Sequence, residues 1–543
     1  MTVHMTSIEA TNSTRAPRPP LKAVAGSPAP TVDRTTLGQD EPTQAFKLPV
    51  PPQLGATPAS NNRGLVMVVF DGLGFPAMRY ALAQGRMPNI SRLLDEGAQA
   101  HEFFPGIPCT TPAAMCGYTH GDNSHIPSYT WYDKATGREY NAGQFTDFDE
   151  GFESRARSAE NPGIASEGSV HSALISGDSH DAHFSVDVMS HCHAEGGTPG
   201  VFKYVVKDTA SFAAHHPLQA VHMVGQYAHD VARNLKDGYR GTNGDFDPDS
   251  GLKERFGKAV STALETGFVT LPATAGVIDD MKAGKPSIFI DLAAYDGTAH
   301  AYGPFAEPSM RAVERIDRMA GKILDQSKKG RGYEVAIISD HGQTNCVPFH
   351  IQYGYRLADH IEKLTGQKVA EGIAGSLDNI YFTDQKDQMQ IGDVDKQHPG
   401  LIDKLVEHDG IGLVMGRQGD VTRIFGRGGH VDIQNGEAKV YGRNVLEDYD
   451  CDQDKTAGQL DRLARMPNAG DLVLLGRYLG NERVVSFEHE PQPGGHGGIG
   501  GGQNHAILIT EPGRDVDVSS VTNTSQIYHL FDGMLPADGH PAA

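Results

Sequence analysis

Six side chains in this sequence have the types and spacing to hold metal ions. Asp296 and His300 lie four residues apart, a spacing that sets both on one face of a helical turn. Asp340 and His341 are adjacent in Ser339-Asp340-His341-Gly342, directly after the apolar run Val335 to Ile338. Neighbours on a strand face opposite sides, but at a strand-to-loop turn both can reach one cleft. Asp71 closes another apolar run, Leu65 to Phe70, and His496 sits within Gly494-Gly495-His496-Gly497-Gly498. Carboxylate oxygens and imidazole nitrogens are the donors that hard and borderline divalent ions take. Three aspartates and three histidines are enough for two such ions, and paired ions serve phosphoryl transfer. Each piece alone is most simply a turn or a linker. The reading rests on their joint occurrence, each after an apolar run or in a glycine loop.

That chemistry needs a nucleophile. In Pro108-Cys109-Thr110-Thr111-Pro112-Ala113, two threonines precede a proline suited to the first turn of a helix. Such threonines are ordinary N-caps. The same position offers unpaired N–H groups and a helix dipole that favour a phosphate. A threonine hydroxyl is a weak nucleophile unless a metal lowers its pKa.

The elements that must position these groups are legible as apolar patterns. Leu65–Phe70, Ile288–Ile290, Glu334–Ser339, Leu472–Leu475 and Ala506–Thr510 read as strands, the first buried on both faces and the second also buried. Pro88–Gly97, Pro308–Leu324 and Thr524–Leu535 read as helices. In the second of these Val313, Ile316, Ala320, Ile323 and Leu324 share a face. Strands alternating with helices predict an α/β sandwich around a mainly parallel sheet. Ligands of such sheets gather beyond the carboxyl ends of the strands, where Asp71, Asp340 and the Asp291–Asp296 stretch fall. Residues 1 to about 60, rich in Pro, Ala, Thr and Ser, read as a disordered tail ahead of a catalytic domain over 61–543. Residues ~125–270 read as a polar, irregular insertion that caps the site, and ~345–490 as a smaller β-containing insertion.

Composition narrows the partners. With 47 Lys and Arg against 68 Asp and Glu, the formal net charge is −21, and no basic cluster stands out. That argues against nucleic-acid duplex binding and an anionic membrane surface, but not against an anionic substrate, because bound cations invert the local field. Five cysteines without a CxxC pair do not look like a disulfide framework. His191-Cys192-His193 is a metal-type triplet whose plainer reading is a loop with incidental histidines. His215, His216, His222 and His229 read as solvated or core histidines. No membrane-length apolar run and no signal pattern are seen, so the expected location is cytoplasmic.

In order and context these pieces resemble the alkaline phosphatase superfamily, and within it the type I phosphodiesterase/nucleotide pyrophosphatase branch. The resemblance rests on Val68-Val-Phe-Asp71-Gly-Leu-Gly74, Met87-Pro-Asn-Ile90, Thr110-Thr-Pro112, Asp296-x3-His300-x2-Gly303-Pro304, Ser339-Asp-His-Gly342 and His496-Gly-Gly498. It implies a three-layer α/β/α sandwich and two divalent ions, Zn²⁺ by preference. Asp71, Asp340, His341 and the Thr110 oxygen would bind one; Asp296, His300 and His496 would bind the other. Thr110 would attack phosphorus and form a phosphothreonine intermediate on a small phosphate ester or nucleotide. Two departures stand out. Ala299 replaces the family's usual Gly before the first metal-binding histidine. Ala113 replaces the Asn usual three residues after the nucleophile, and Asn123 is a candidate substitute. Thr110 keeps the Thr-x-Pro pattern and the spacing to Thr119, whereas Thr111 fits the spacing to Gly121; the second of the pair would then line the phosphate. Rival readings are a phosphomonoesterase, a phosphonate hydrolase and, from another class, a non-catalytic metal-binding scaffold. A sulfatase would need Cys-x-Pro-x-Arg, which Cys109-Thr-Thr-Pro112 does not supply.

Overall fold

The computed structural model describes residues 41–52, 54, 63–239 and 270–540. Its centre is a seven-stranded sheet. The order is Gln99–Phe103, Ala506–Thr510, Tyr333–Ile338, Gly64–Val69, Ser287–Asp291, Ser169–His171 and Ala182–His183. The last five run parallel, and Ala506–Thr510 is antiparallel to both neighbours.

The continuous apolar run Leu65–Val69 is explained by burial on both faces. Val66 and Val68 point into a core with helices Phe75–Ala83, Pro88–Asp95, Thr270–Ala283 and Glu307–Ser327. Leu65, Met67 and Val69 point into the opposite core, with helices Thr111–His120 and Ser525–Met534. The strand's two-residue period thus divides its side chains between two helical layers, giving the α/β/α sandwich. Val69 is level with Ile338 on one side and Asp291 on the other. The carboxyl ends of three adjacent strands therefore finish together, and Asp71, Asp291 and Asp340 meet there.

Three expectations change. The region 345–490 is not a small insertion: it supplies seven strands of a wholly antiparallel eight-stranded sheet. Leu472–Gly476 belongs to this second sheet, a distinction that a buried apolar run cannot make alone. The eighth strand, Gln44–Lys47, lies in the stretch read as a disordered tail and pairs with Glu437–Gly442. Residues 1–40 of that tail lie outside the described residues. The region 125–270 is also more regular than expected. It holds the hairpin Thr130–Asp133/Arg138–Asn141, with Trp131 stacked on Tyr140 at 4.5 Å, and the helices Val186–His215 and Pro217–Tyr239. Gly196, Gly197 and Pro199 break the helical pattern in the sequence. In the structure the helix kinks at Gly197 (φ 62°) and continues. No helix among the described residues is long and apolar enough to cross a membrane.

Candidate active site

Strand ends, one helix and one glycine loop bring the six ligand candidates to a single place. Asp296 and His300 lie on the short helix Ala294–Tyr302, with His300 Nε2 3.3 Å from Asp296 Oδ2. His496 enters from the glycine loop; its Nε2 is 3.7 Å from Asp296 Oδ1 and 3.0 Å from His300 Nε2. The His341 ring stacks on His496 at 3.6 Å, and its Nε2 is 3.0 Å from Asp340 Oδ2 and 3.9 Å from Asp71 Oδ1. Donor atoms of Asp296, His300 and His496 lie within 4.8 Å of one another, as do those of Asp71, Asp296 and His341. Asp296 therefore borders both sets.

The glycines are sterically required. Gly72 has φ +69°, and a Cβ there would stand 2.4 Å from Asp296 Oδ1. A Cβ on Gly497 (φ +118°) would meet the Ala374 carbonyl oxygen at 2.2 Å. The second sheet thus presses on the His496 loop, and only glycine fits between them.

All three imidazoles are oriented alike. His300 Nδ1 lies 2.9 Å from Gln492 Oε1 and 3.1 Å from the Gly494 carbonyl oxygen. His341 Nδ1 lies 3.0 Å from the Gly342 carbonyl oxygen, and His496 Nδ1 lies 2.8 Å from that of Cys109. These acceptors hold the proton on Nδ1 and leave the Nε2 lone pairs facing the cluster, as metal-binding histidines require. Two Nε2 lone pairs at 3.0 Å repel unless a proton or a cation lies against them. Around a tetrahedral ion with bonds of about 2.0 Å, neighbouring donors stand about 3.3 Å apart. The separations of 3.0–3.9 Å here are of that size.

The carboxylates call for the same positive charge. Asp71 Oδ1, Asp291 Oδ1, Asp340 Oδ2 and Thr110 Oγ1 are buried without a hydrogen-bond partner. Burial, then the Asp340, Asp291 and Asp296 charges, push the Asp71 carboxyl well above the usual range, and Asp291 is raised similarly. Burial pushes His496 down to about 3, with His341 adding to the effect. In His300 burial is outweighed by Asp296, which raises the imidazole to about 9, and Asp340 raises His341 in the same way. Where no cation is bound, protons supply part of the missing charge. Donor chemistry, separations and orphaned oxygens all fit divalent cations.

Both threonines stand at the cluster's edge. Thr110 is the N-cap of helix Thr111–His120, in extended conformation, and is fully buried. Thr111 Oγ1 lies 3.2 Å from His341 Nε2 and can donate to it. Asn123 does not join them. Its Nδ2 donates to the Ala113 carbonyl (2.9 Å) and to Thr524 Oγ1 (3.2 Å), and its Oδ1 accepts from Arg462. It braces the helix, so the candidate phosphate contact is replaced by a structural one.

Several participants had no motif in the sequence. Asp291 ends a strand as Asp71 does, and that position was the available signal. Gln343 donates to Asp296 Oδ1 at 2.6 Å, and Gln492 orients His300; isolated glutamines carry no local signature. Cys109 is structural: Gly497 N donates to its Sγ at 3.2 Å, and burial pushes its thiol up to about 12.

Comparison with known proteins bears on the family and the fold. A family model described as type I phosphodiesterase/nucleotide pyrophosphatase matches residues 65–415. The 2,3-bisphosphoglycerate-independent phosphoglycerate mutase of Wolinella succinogenes is 34% identical over 83 residues, 15% of this chain and 16% of that enzyme. The match thus spans about a sixth of that curated relative's length. Among solved structures, the wild-type alkaline phosphatase PafA superposes with a TM-score of 0.50 at 12% identity, covering 86% of this chain and 94% of its own. Phosphonoacetate hydrolase from Sinorhizobium meliloti 1021, in complex with phosphonoformate, gives 0.48 at 13% identity, covering 90% and 100%. Murine ectonucleotide pyrophosphatase/phosphodiesterase 5 gives 0.47 at 12% identity, covering 87% and 95%. With a fold of the alkaline phosphatase type and a family match over most of its sandwich, the chain belongs to the type I phosphodiesterase/nucleotide pyrophosphatase family.

Proposed function

We propose that the protein is a metal-dependent hydrolase of phosphodiester or nucleotide pyrophosphate bonds. The observation that supports this most is the pair of adjoining donor sets, whose Nε2 and carboxylate oxygens face one another beside a buried, unpartnered Thr110 hydroxyl. Asp71, Asp340 and His341 with Thr110 would hold one divalent ion, Zn²⁺ by donor type, and Asp296, His300 and His496 the other. Bound there, such ions lower the pKa of a hydroxyl or water and take up charge on phosphoryl oxygens.

The chain's own residues supply the rest. Thr110 Oγ1 attacks phosphorus in line with the leaving oxygen, whose P–O bond breaks. The resulting phosphothreonine is hydrolysed by water, which restores the hydroxyl. The first N–H groups of helix Thr111–His120 have no acceptor within the helix and would face a phosphate bound at its start. Thr111, whose Oγ1 lies 3.2 Å from His341 Nε2, is the alternative nucleophile and would otherwise line the phosphate.

A phosphomonoesterase of the same superfamily is the second reading.

The test is release of nitrophenol from bis-nitrophenyl phosphate and from nitrophenyl phosphate, with Zn²⁺, after chelation, and in Thr110→Ala and Thr111→Ala. Diester cleavage abolished by chelator and lowered by about 10³-fold or more in Thr110→Ala is expected. A larger loss in Thr111→Ala exchanges the two threonines' roles. Preference for the monoester selects the second reading, and silence on both substrates with metal bound leaves a phosphonate hydrolase or the scaffold.

A further inference from the structure

The sequence His191-Cys192-His193 lies on the helix Val186–His215, not in a loop. Successive helical residues diverge by about 100°, so the three cannot share one ion. His193 turns to Phe145, its ring edge-on at 5.3 Å. His191 turns the other way, toward Asp149 and Asp187. Its Nδ1 lies 3.0 Å from the Asp187 carbonyl oxygen, which holds the proton there and leaves Nε2 free, 3.6 Å from Asp149 Oδ2. The same device orients the three imidazoles of the candidate active site.

Asp187 gives the second, independent indication. Its side chain is 2% exposed, and its Oδ1 has no hydrogen-bond partner. The nearby Ser176 hydroxyl donates to Glu153 Oε1 at 3.0 Å. Arg157 takes the other oxygen, with Nη2 3.2 Å from Asp187 Oδ2, and it also takes Asp149 Oδ1 at 2.9 Å. One oxygen of each aspartate and His191 Nε2 are left over. Donor atoms of the three residues lie within 4.8 Å of one another.

The charges point the same way. Asp149, Glu153, Asp178 and Asp187 all lie within 3.7 Å of the single Arg157 guanidinium. The other basic groups present are His120, 3.1 Å from Glu153 Oε1, and His191 itself. Glu153 and Asp187 are buried among them, and such an excess of carboxylates is costly unless a cation offsets it. His191 is half exposed, which gives an ion a way in and leaves coordination positions for water.

We propose that Asp149, Asp187 and His191 form a separate site for one divalent transition cation. A nitrogen with two carboxylates suits Zn²⁺ or its neighbours, not Ca²⁺, which takes six to eight oxygens. The ion would tie the turn Asp149–Glu153 to the first turn of helix Val186–His215. Glu153 in turn bonds His120, in the last turn of the helix that Thr110 caps, so the site braces that helix from behind.

Zn²⁺ titration of the full chain against a chromophoric chelator tests this. His191→Ala, at a half-exposed position, is expected to bind one equivalent fewer than the parent and to gain less in melting temperature from Zn²⁺. Asp187→Asn is expected to lose the same equivalent. A His300→Ala/His496→Ala double variant is expected to keep it, which separates this site from the candidate active site. If His191→Ala binds as many equivalents as the parent while melting as the parent does without metal, the inference is overturned.

Discussion

The two halves of the candidate active site differ in how they are enclosed. In the Asp71/Asp340/His341 half the side chains are 6%, 0% and 0% exposed. In the Asp296/His300/His496 half they are 16%, 24% and 8% exposed. The inner half rests on the ends of the sheet's middle strands, and Asp340 Oδ1 is fixed by the N–H groups of Gly72 (2.9 Å) and His341 (3.0 Å). The outer half hangs on a short helix and a glycine loop, oriented by Gln492 and carbonyl oxygens. Rigidity and dryness thus belong to the side that holds the threonines, and access to the side where water would enter. The displacement and hydrolysis proposed above would need both properties, and here they are divided between two kinds of backbone.

The sharpest way to break this comparison is Asp71→Asn. In the metal-free protein Asp71 must take up a proton on folding, because burial and the neighbouring carboxylates raise its carboxyl well above the usual range; an amide needs none, so the variant is expected to melt higher than the metal-free parent. With metal supplied, activity is expected to fall by about 10³-fold or more. A lower melting temperature without metal would show that the inner half is not electrostatically strained.

Gly72→Ala comes next. Its Cβ would crowd Asp296 Oδ1 at 2.4 Å, in a left-handed backbone that costs about 1–2 kcal/mol for a residue with a side chain. Because Asp296 borders both halves, activity is expected to drop by about 100-fold, alongside a lowered melting temperature.

His300→Ala strikes the outer half alone. The expected loss is about 100-fold, partly restored by excess Zn²⁺, while metal analysis shows the inner equivalent retained. Graded chelation should show the same order, the more exposed half emptying first. Simultaneous loss of both equivalents would erase the distinction between them.

The smallest effect is expected from Gln492→Ala, which removes one of two acceptors on His300 Nδ1. Outer-site affinity should weaken by about tenfold, with inner-site affinity unchanged, as a chelator competition would measure.

The ligand candidates could be named in advance because each lies in a short pattern beside an apolar run or among glycines. Asp71 after Leu65–Phe70 and Asp340 after Val335–Ile338 need only a parallel sheet to bring them level. Asp291 occupies the equivalent place on the third strand, yet without a histidine partner its sequence context did not single it out. The insertions were misjudged for physical reasons. Gly196, Gly197 and Pro199 lower helix propensity through a helix held by tertiary packing. Gln44–Lys47 has too few apolar residues to read as a strand, and its backbone is satisfied only by Glu437–Gly442, almost 400 residues away.

The sequence by itself determined the sandwich core, its buried strands and the chemical types of the donors, because apolar period and residue identity are local properties. Tertiary structure alone decided which donors lie together, since Asp296 borders both sets only once three strand ends and the His496 loop have met. It also decided the histidine tautomers, through carbonyls as distant as Cys109 from His496. It turned His191 away from its sequence neighbours toward Asp149 and Asp187. Contacts between distant segments depend on how the chain closes in space, and no local spacing encodes that closure.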